Sequence, residues 1–291
     1  MKTSKELVET LQGYISKNGI QESINPFYKS DDFTLYNGDS LEIMSRLPDN
    51  CIDMIFADPP YMLSNDGFSC QNGKMVSVNK GKWDKSKGFE DDLLFHEAWL
   101  KQCHRILKPE GTLWVSGTYH SIYQCGFLIQ KLGYHILNDI AWFKPNAAPN
   151  LSCRFFTASH ETLIWARKDK KAKHIFNYEA MKSGKFPEDP MKKNETQMRS
   201  VWSIPTPSPS EKEFGKHPTQ KPLALLKRIV AASTNEGAII LDPFNGGGTT
   251  GIASKIIGNR QYIGIDMNKE YLDLTKKKYE HLNNKIELFT I

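Results

Sequence analysis

The sequence contains no long apolar run and no closely spaced pair of cysteines. None of its apolar stretches approaches the roughly 20 residues that a membrane-spanning helix requires, and no hydrophobic segment follows the charged start of the chain. We therefore expect neither a membrane protein nor a secretory signal. The 291 residues, 39% hydrophobic and 24% charged, have the composition of an ordinary globular protein.

Cysteine is too sparse to build a framework. The five cysteines are widely and irregularly spaced, namely Cys51, Cys70, Cys103, Cys125 and Cys153. An odd count without a Cys-x-x-Cys pair predicts neither a disulfide scaffold nor a structural zinc site. We therefore expect reduced thiols, as in a cytoplasmic protein, and no metal.

Positive charge is concentrated in one segment. Residues 167–199 hold ten lysines and arginines against five acids, an excess that equals the net charge of +5 of the whole chain. A basic segment on an otherwise neutral body favours a polyanionic partner. A solvated, lysine-rich surface loop is the simpler alternative.

An alternation of strands and helices begins at residue 33. The apolar runs predict strands at residues 33–36, 52–57, 112–116, 136–143, 161–166, 238–241 and 262–265. Helices are predicted at residues 40–47, 92–107, 121–132, 222–232, 249–257 and 269–282. Residues 62–90 and 167–215 break the rhythm and are predicted to be irregular. The pattern is typical of an α/β fold with a mostly parallel twisted sheet, helices on both faces and an antiparallel edge hairpin.

A glycine turn joins the strand at 238–241 to the helix at 249–257. Gly246, Gly247 and Gly248 allow a ligand to lie against the backbone, at a helix start whose N–H groups are unpaired. Asp266 ends the next strand, about twenty residues further on, where such an acid binds ribose hydroxyls. No lysine follows the glycines as in a P-loop, and the turn is not Gly-x-Gly-x-x-Gly. It suits S-adenosylmethionine, while a dinucleotide site or a glycine turn needed only for packing remain alternatives.

A second motif follows the strand at 52–57. In Asp58-Pro59-Pro60-Tyr61 two prolines fix the backbone and direct carbonyl oxygens. An exocyclic amine offers two hydrogens, which the Asp58 carboxylate and the Pro59 carbonyl suit as acceptors. Tyr61 suits stacking on the base that carries the amine. The alternative is a rigid turn that only ends the strand.

Together these motifs resemble the β group of amino-methylating DNA methyltransferases, in which Asp-Pro-Pro-Tyr comes first and a Phe-x-Gly-x-Gly cofactor motif last. Phe244, Gly246 and Gly248 fit the second motif, whereas Gly247 replaces the family's usual Ser and is assigned no role. The resemblance covers about residues 33–285 and is greatest to the adenine enzymes of GATC-type restriction systems, then to the GAAGA type. It implies the S-adenosylmethionine-dependent methyltransferase fold and direct methyl transfer to N6 of adenine, without a metal or a covalent intermediate.

The resemblance also assigns the site. His217, Thr219 and Lys221 match a His-Pro-Thr-Gln-Lys-Pro motif that holds the methionine end of the cofactor, where a hydroxyl and an ammonium suit a carboxylate. Asp39 matches an acid near the cofactor adenine. The predicted catalytic residues are Asp58, Pro59, Pro60 and Tyr61, and the predicted cofactor-binding residues are Asp39, Asp58, His217, Thr219, Lys221, Asp242, Phe244, Gly246, Gly248, Thr249, Thr250 and Asp266.

The resemblance divides the chain into four parts with different roles. Residues 1–30 are an N-terminal extension, 31–166 the catalytic half, 167–215 the target-recognition insert and 216–291 the cofactor-binding half of the same domain. It implies a bacterial protein of the cytoplasm or nucleoid that acts on double- or single-stranded DNA. Homodimers occur in the group, and a cognate restriction endonuclease would act independently on the same sequence.

An enzyme that modifies N6 must flip the adenine out of a duplex or take a single strand. The basic segment and residues 62–90 are therefore the predicted sources of DNA contacts. Candidate phosphate or base contacts are Arg154, Arg199, Lys74, Lys80, Lys82 and Lys85, with Trp83 and Trp202 as stacking or wedge groups.

Four alternatives remain at this point. An N4-cytosine methyltransferase would use the same amine chemistry, although such enzymes usually carry Ser where this chain has Asp58. A non-catalytic DNA-binding protein on the same fold would not need both intact motifs. A nicotinamide-dependent oxidoreductase would leave the Asp-Pro-Pro-Tyr turn unexplained. RNA or protein as the methyl acceptor fits the order of motifs less well than DNA.

Overall fold

A computed structural model describes residues 25–62, 68–71, 74–77 and 84–289. Within these ranges nine strands form one sheet: β1 (Tyr28–Lys29), β2 (Phe33–Asn37), β3 (Ile52–Ala57), β6 (Leu107–Gly117), β7 (His135–Phe143), β8 (His160–Arg167), β9 (Val201–Ser203), β10 (Ile239–Asp242) and β11 (Gln261–Asp266). Their spatial order is β1-β2-β11-β10-β3-β6-β8-β7-β9. The five strands from β2 to β6 in this order are mutually parallel, and only β1 and β8 run against the others.

Helices cover both faces of the sheet, as the alternation predicts. They are α1 (Ser40–Ser45), α2 (Phe89–Ile106), α3 (Ile122–Lys131), α4 (Tyr178–Ser183), α5 (Leu223–Ser233), α6 (Thr249–Ile257) and α7 (Lys269–Phe289). The first three pack against one core, which contains Trp99 and Ile263, while α5 to α7 pack against a second core, which contains Trp114 and Tyr262. Because its two faces are both covered, the central strand β10 is buried along its whole length.

Several boundaries differ from the sequence-based expectations. The helix predicted at 92–107 begins at Phe89 and ends at Ile106, and β6 starts at once, at Leu107, rather than at residue 112. Pro109 and Gly111, which follow the end of the predicted helix, lie in β6, at a register irregularity opposite β3. A strand can carry proline at such an irregularity because a ladder bond is already missing there. Residues 62–90, predicted to be a loop, contain the antiparallel hairpin of β4 (Phe68–Gln71) and β5 (Lys74–Ser77).

The segment at 167–215 also contributes to the body of the domain. The predicted antiparallel pair of β7 and β8 is present, but β9 from this segment adds parallel to β7 and forms the outer edge. The side chains of Asp189 and Arg228 form a buried ion pair at 2.7 Å that ties the segment to α5. The helix α4 was not predicted either. Short elements like these lack the periodicity by which a sequence pattern is recognised.

The parallel strands bring their carboxyl ends to one edge of the sheet. β3 and β10 are direct neighbours, with Met54 opposite Ile240. Asp58 follows β3, and Asp242 ends β10, so the two predicted motifs meet in space. The carboxyl ends of both strands lie at the same edge because the strands are parallel. In the described ranges no helix is both long and apolar enough to cross a membrane.

Candidate active site

A cavity of about 880 Å³ opens at this edge, between the two motifs. Of the residues predicted for the site, only Gly248 does not line it. The predicted residues that line it are Asp39, Asp58, Pro59, Pro60, Tyr61, His217, Thr219, Lys221, Asp242, Phe244, Gly246, Thr249, Thr250 and Asp266. Residues separated by more than two hundred positions in the sequence therefore border one space.

The glycine turn depends on the absence of side chains. Gly246 and Gly248 have φ angles of +48° and +72°, in the left-handed region that disfavours other residues. A Cβ at Gly248 would lie 2.3 Å from Thr275 Cγ2, whereas one at Gly246 would lie 3.1 Å from the His217 ring. Gly248 thus serves the packing of α6 against α7, and Gly246 allows His217 to approach the cavity wall.

Two carboxylates, one buried and one half-buried, hold this turn. Asp242 accepts hydrogen bonds from the Thr250 hydroxyl at 2.6 Å and from the Phe244 N–H at 3.0 Å. Asp266 accepts from the Gly246 N–H at 2.7 Å. Burial raises the pKa of Asp242 to about 7 and that of Asp266 to about 6. Both acids therefore shape the turn, and each holds its proton at a higher pH than an exposed carboxyl does.

Asp39, which also lines the cavity, caps the short helix α1. One carboxylate oxygen accepts from the Leu41 N–H at 2.8 Å and from the Glu42 N–H at 3.1 Å. This helix start was predicted from the sequence. Phe244 also lines the cavity, and its ring lies edge-on to that of Trp99, with 5.6 Å between the ring centroids.

The Asp-Pro-Pro-Tyr turn is held by an acid that sequence reasoning missed. Asp84, only 1% exposed, accepts hydrogen bonds from the Tyr61 N–H at 2.8 Å and from the Met62 N–H at 2.9 Å. Prolines at 59 and 60 have no N–H to offer, so these two donors are the next along the turn. The only sequence signal for Asp84 was its place in a segment predicted to be irregular.

Asp58 lies in a cluster of buried polar side chains. Its carboxylate accepts from the Tyr61 hydroxyl at 2.5 Å and from the Lys221 ammonium at 2.5 Å. The same ammonium lies 2.5 Å from the Tyr61 oxygen. Sequence reasoning assigned Lys221 to the methionine end of the cofactor, but the structure places its ammonium on the catalytic motif.

Glu161, at the start of β8, completes this cluster and was also missed. Its carboxylate lies 3.5 Å from Lys221, 3.1 Å from Lys144 and 3.2 Å from the Tyr61 hydroxyl. Two carboxylates and two ammonium groups thus balance each other in a buried space. The sequence analysis assigned neither Glu161 nor Lys144 to the site, and the antiparallel pairing of β7 with β8 brings them to it.

Within the cluster the pKa values of the two carboxyl groups are shifted in opposite directions. Burial raises the pKa of Asp58 above its ordinary value, and Glu161 adds to the rise while Lys221 opposes it. Burial also acts to raise the pKa of Glu161, but Lys221 and Lys144 hold it below its ordinary value. Glu161 is therefore the firmer anion, and Asp58 the one closer to accepting a proton.

A second cavity, of about 270 Å³, lies on the other side of the cluster. Tyr61, Lys221 and Thr219 border both cavities, while Trp142 and Glu161 border only the smaller one. The predicted catalytic tyrosine thus stands between two spaces of different size.

The predicted DNA contacts differ in their exposure to solvent. Trp202 is wrong as a stacking or wedge group, because it is 4% exposed, packs on Trp114 and donates to the Arg199 carbonyl. Arg154, Arg199 and Lys85 are exposed. Lys80, Lys82 and Trp83 lie outside the described residues, as does the side chain of Lys74. Among the described residues, no group of His, Cys, Asp and Glu is arranged to hold a metal ion.

Comparison with known proteins places this site in a family. Residues 52–277 match a sequence family of N6- and N4-methyltransferases described as DNA methylase. The chain is 48% identical over 262 residues to the Type II methyltransferase M2.DpnII of Streptococcus pneumoniae, covering 89% of this chain and 93% of that protein. It is 46% identical over 261 residues to the Type II methyltransferase M2.MboI of Moraxella bovis, covering 89% and 92%.

Solved structures share the fold. The complex of M1.HpyAVI with S-adenosylmethionine matches with a TM-score of 0.61 and 29% identity, over 85% of this chain and 98% of that one. The cytosine-N4-specific PvuII DNA methyltransferase matches with a TM-score of 0.67 over 87% of this chain and 88% of that one. At 18% identity the second match shows the fold alone.

Proposed function

This chain belongs to the family of N6- and N4-methylating DNA methylases, which use S-adenosylmethionine, and we propose that it methylates N6 of adenine at a specific DNA sequence. The observation that carries the proposal is the place of Asp58. Its carboxylate lies at the head of an Asp-Pro-Pro-Tyr turn, in the wall of the cavity that the glycine turn also lines. The adenine enzymes of the family resemble this chain in having Asp at that position, whereas cytosine enzymes usually have Ser.

The charge of the large cavity fits the cofactor. Of the described residues that line it, seven are aspartates and three are lysines, and none is an arginine. Such a wall repels the pyrophosphate of a dinucleotide but attracts a ligand with a cationic sulfur and an ammonium. When bound, S-adenosylmethionine supplies an electrophilic methyl group on that sulfur.

We assign the cofactor contacts from the placement of the lining residues. Asp266 would accept hydrogen bonds from the ribose, since each of its oxygens has capacity beyond the backbone N–H it already accepts. Asp39, which follows the strand β2 that pairs with β11, would serve the adenine. Thr219 and His217 would serve the methionine end, while Lys221 is assigned to the Asp58 cluster because its ammonium is already engaged there.

Asp58 and Pro59 would hold the amine that is methylated. A carboxylate and a carbonyl that accept its two hydrogens draw the nitrogen lone pair out of conjugation with the ring and make it more nucleophilic. To accept a hydrogen bond from the amine, the Asp58 carboxylate must give up part of its hydrogen bonding to the Lys221 ammonium. Glu161 allows this exchange, because it keeps Lys221 paired. After transfer the amine loses a proton, which Asp58, with its raised pKa, is placed to accept.

Tyr61 would pack against the base. Its ring borders the smaller cavity, together with Trp142 and Glu161, and this cavity is the place we assign to the flipped or single-stranded adenine. Positioning and electrostatics then account for the reaction, without a covalent bond to the protein.

The biological setting we propose is a restriction–modification system. The relatives named above are Type II methyltransferases. A partner endonuclease would cleave the same sequence independently, and methylation would protect the host DNA. A homodimer in solution stays a prediction.

The test is to identify the methylated base. The protein is incubated with S-adenosylmethionine and DNA of mixed sequence, and the DNA is digested to nucleosides that are weighed by mass spectrometry. We expect N6-methyldeoxyadenosine. N4-methyldeoxycytidine would instead support the cytosine alternative, and DNA without any added methyl group would support a non-catalytic DNA-binding protein.

A further inference from the structure

The loop between β7 and β8 presents two exposed phenylalanines. Phe156 is 97% exposed and Phe155 is 69% exposed, and among the described large hydrophobic side chains Phe156 is the most exposed. Placing two such rings in water costs free energy that burial against a partner would recover. The pair therefore points to a ligand that covers it.

The exposure is built into the loop. The Asn150 side-chain amide donates to the Phe155 carbonyl at 2.7 Å, and its oxygen accepts from the Ser152 N–H at 3.0 Å. The Asn150 N–H donates to the Thr157 hydroxyl at 3.3 Å. These bonds fix the backbone on both sides of the two rings, so the rings are held outward by a structured turn.

The base of this loop is part of the catalytic cluster. The Lys144 N–H donates to the Ser159 carbonyl at 2.7 Å and closes the loop where it leaves the sheet. The Lys144 side chain then pairs with Glu161, which contacts Tyr61 and Lys221. Because β7 runs parallel to β3, the loop rises from the same sheet edge that carries Asp58.

The chemistry of the loop fits nucleic acid. Residues 145–159 contain no acid and one base, Arg154, directly before the two rings. Aromatic rings stack on nucleobases of any sequence, and a neighbouring guanidinium binds phosphate or stacks as well. No DNA contact was predicted for this pair, and Trp202, which was predicted as a stacking or wedge group, is buried.

We propose that Phe155 and Phe156 stack on the bases next to the target adenine and hold the strand while that adenine enters the cavity beside Tyr61. The proposal rests on the proposed function for the identity of the target. It commits to nucleobases as the partner of the loop. A second copy of the chain is the competing occupant.

The experiment compares Phe156→Ala and the double variant F155A/F156A with Phe127→Ala. Phe127 is a matched control, since it is 59% exposed but lies on the outer side of α3. DNA affinity is measured by fluorescence anisotropy, and stacking by 2-aminopurine placed next to the target adenine. We expect the loss of one stacked base to weaken DNA binding about ten-fold and to abolish the 2-aminopurine quenching. Phe127→Ala should bind and quench like the wild type, and Phe156→Trp should retain both properties.

Two results would overturn the proposal. The first is a Phe156→Ala protein that binds DNA and quenches 2-aminopurine as the Phe127→Ala protein does, while the wild type methylates DNA. The second is a change in sedimentation, from dimer to monomer, with DNA affinity intact, because the rings would then belong to a protein interface. A wild-type protein that binds DNA and quenches 2-aminopurine but transfers no methyl group would contradict the proposed function while supporting the stacking proposal.

Discussion

The ammonium of Lys221 lies 2.5 Å from Asp58 and 3.5 Å from Glu161, so a single buried lysine joins two carboxylates from distant parts of the chain. Asp58 belongs to the Asp-Pro-Pro-Tyr motif. Glu161 lies in β8, a strand to which the sequence analysis assigned no catalytic role. Their shared partner makes the charge of one depend on the charge of the other.

Glu161→Gln should lower kcat by about 10- to 100-fold, because Lys221 loses its second anionic partner and holds Asp58 more tightly. The size of the effect comes from the strength of a charged hydrogen bond of this kind, about 1.5–3 kcal/mol. Glu161 raises the pKa of Asp58. Its neutralisation should therefore shift the acidic limb of the kcat–pH profile to lower pH. Steady-state methylation between pH 5 and 9 measures both effects.

The controls for this prediction are Glu161→Asp and Glu97→Gln. The first keeps the charge and should recover part of the activity; the second neutralises a glutamate that pairs with Lys101 and Lys131 on α2 and α3, away from the site. An unchanged profile in Glu161→Gln would remove Glu161 from any role in positioning Lys221.

The stability of the protein without cofactor should depend on pH through Asp242. Burial raises the pKa of this carboxyl to about 7 in the folded state, well above the value of about 3.9 of an unfolded chain. The folded state therefore binds a proton that the unfolded state has released. The contribution of Asp242 to the free energy of unfolding is therefore full below about pH 4. It is lost as the pH rises through about 7, and it amounts to a few kcal/mol in total.

Asp242→Asn removes this titration. The melting temperature of the wild type relative to the variant should accordingly fall from pH 5 to pH 8, as measured by thermal unfolding without cofactor. A difference that stays constant across this range would show that Asp242 does not titrate in it.

Gly248→Ala should destabilise the fold strongly. The new Cβ would lie 2.3 Å from Thr275 Cγ2 and would sit at a φ of +72°. Left-handed strain and overpacking each cost about 1–3 kcal/mol. Chemical denaturation measures the loss, and a second change, Thr275→Ala, should restore part of it.

Gly247→Ser is the matched control at the neighbouring glycine. Its φ is not in the left-handed region, and the nearest contact of a new Cβ is 3.2 Å from His217 Cβ. The family usually has Ser there, so stability should change little. Equal losses in both variants would contradict the packing role of Gly248.

The sequence sufficed for the elements that form the floor of the site. The apolar run before Asp58 predicted β3 with its observed bounds, Ile52–Ala57, and the turn after β10 predicted α6 as Thr249–Ile257. Both are long or strongly marked, so local pattern decides them. The alternation of strands and helices predicted the mostly parallel sheet, in which β3 and β10 end at the same edge.

The parts that the sequence did not reveal depend on contacts between distant segments. Glu161 reaches the cluster because β8 pairs antiparallel with β6 and β7. Trp202 was predicted to be exposed for DNA, but β9 pairs with β7 and carries the ring into the core beside Trp114. The strand propensity of three residues is too weak a signal to predict such a pairing.

The most direct test of the account is methyl transfer by Asp58→Ala and Asp58→Asn, measured beside their affinity for S-adenosylmethionine. Tritium transfer to DNA gives the first quantity, and isothermal titration without DNA gives the second. The account predicts that transfer falls to background in both variants while cofactor affinity stays within about ten-fold, a change of about 1.4 kcal/mol. Transfer that persists at a substantial fraction of the wild-type rate in either variant would contradict it.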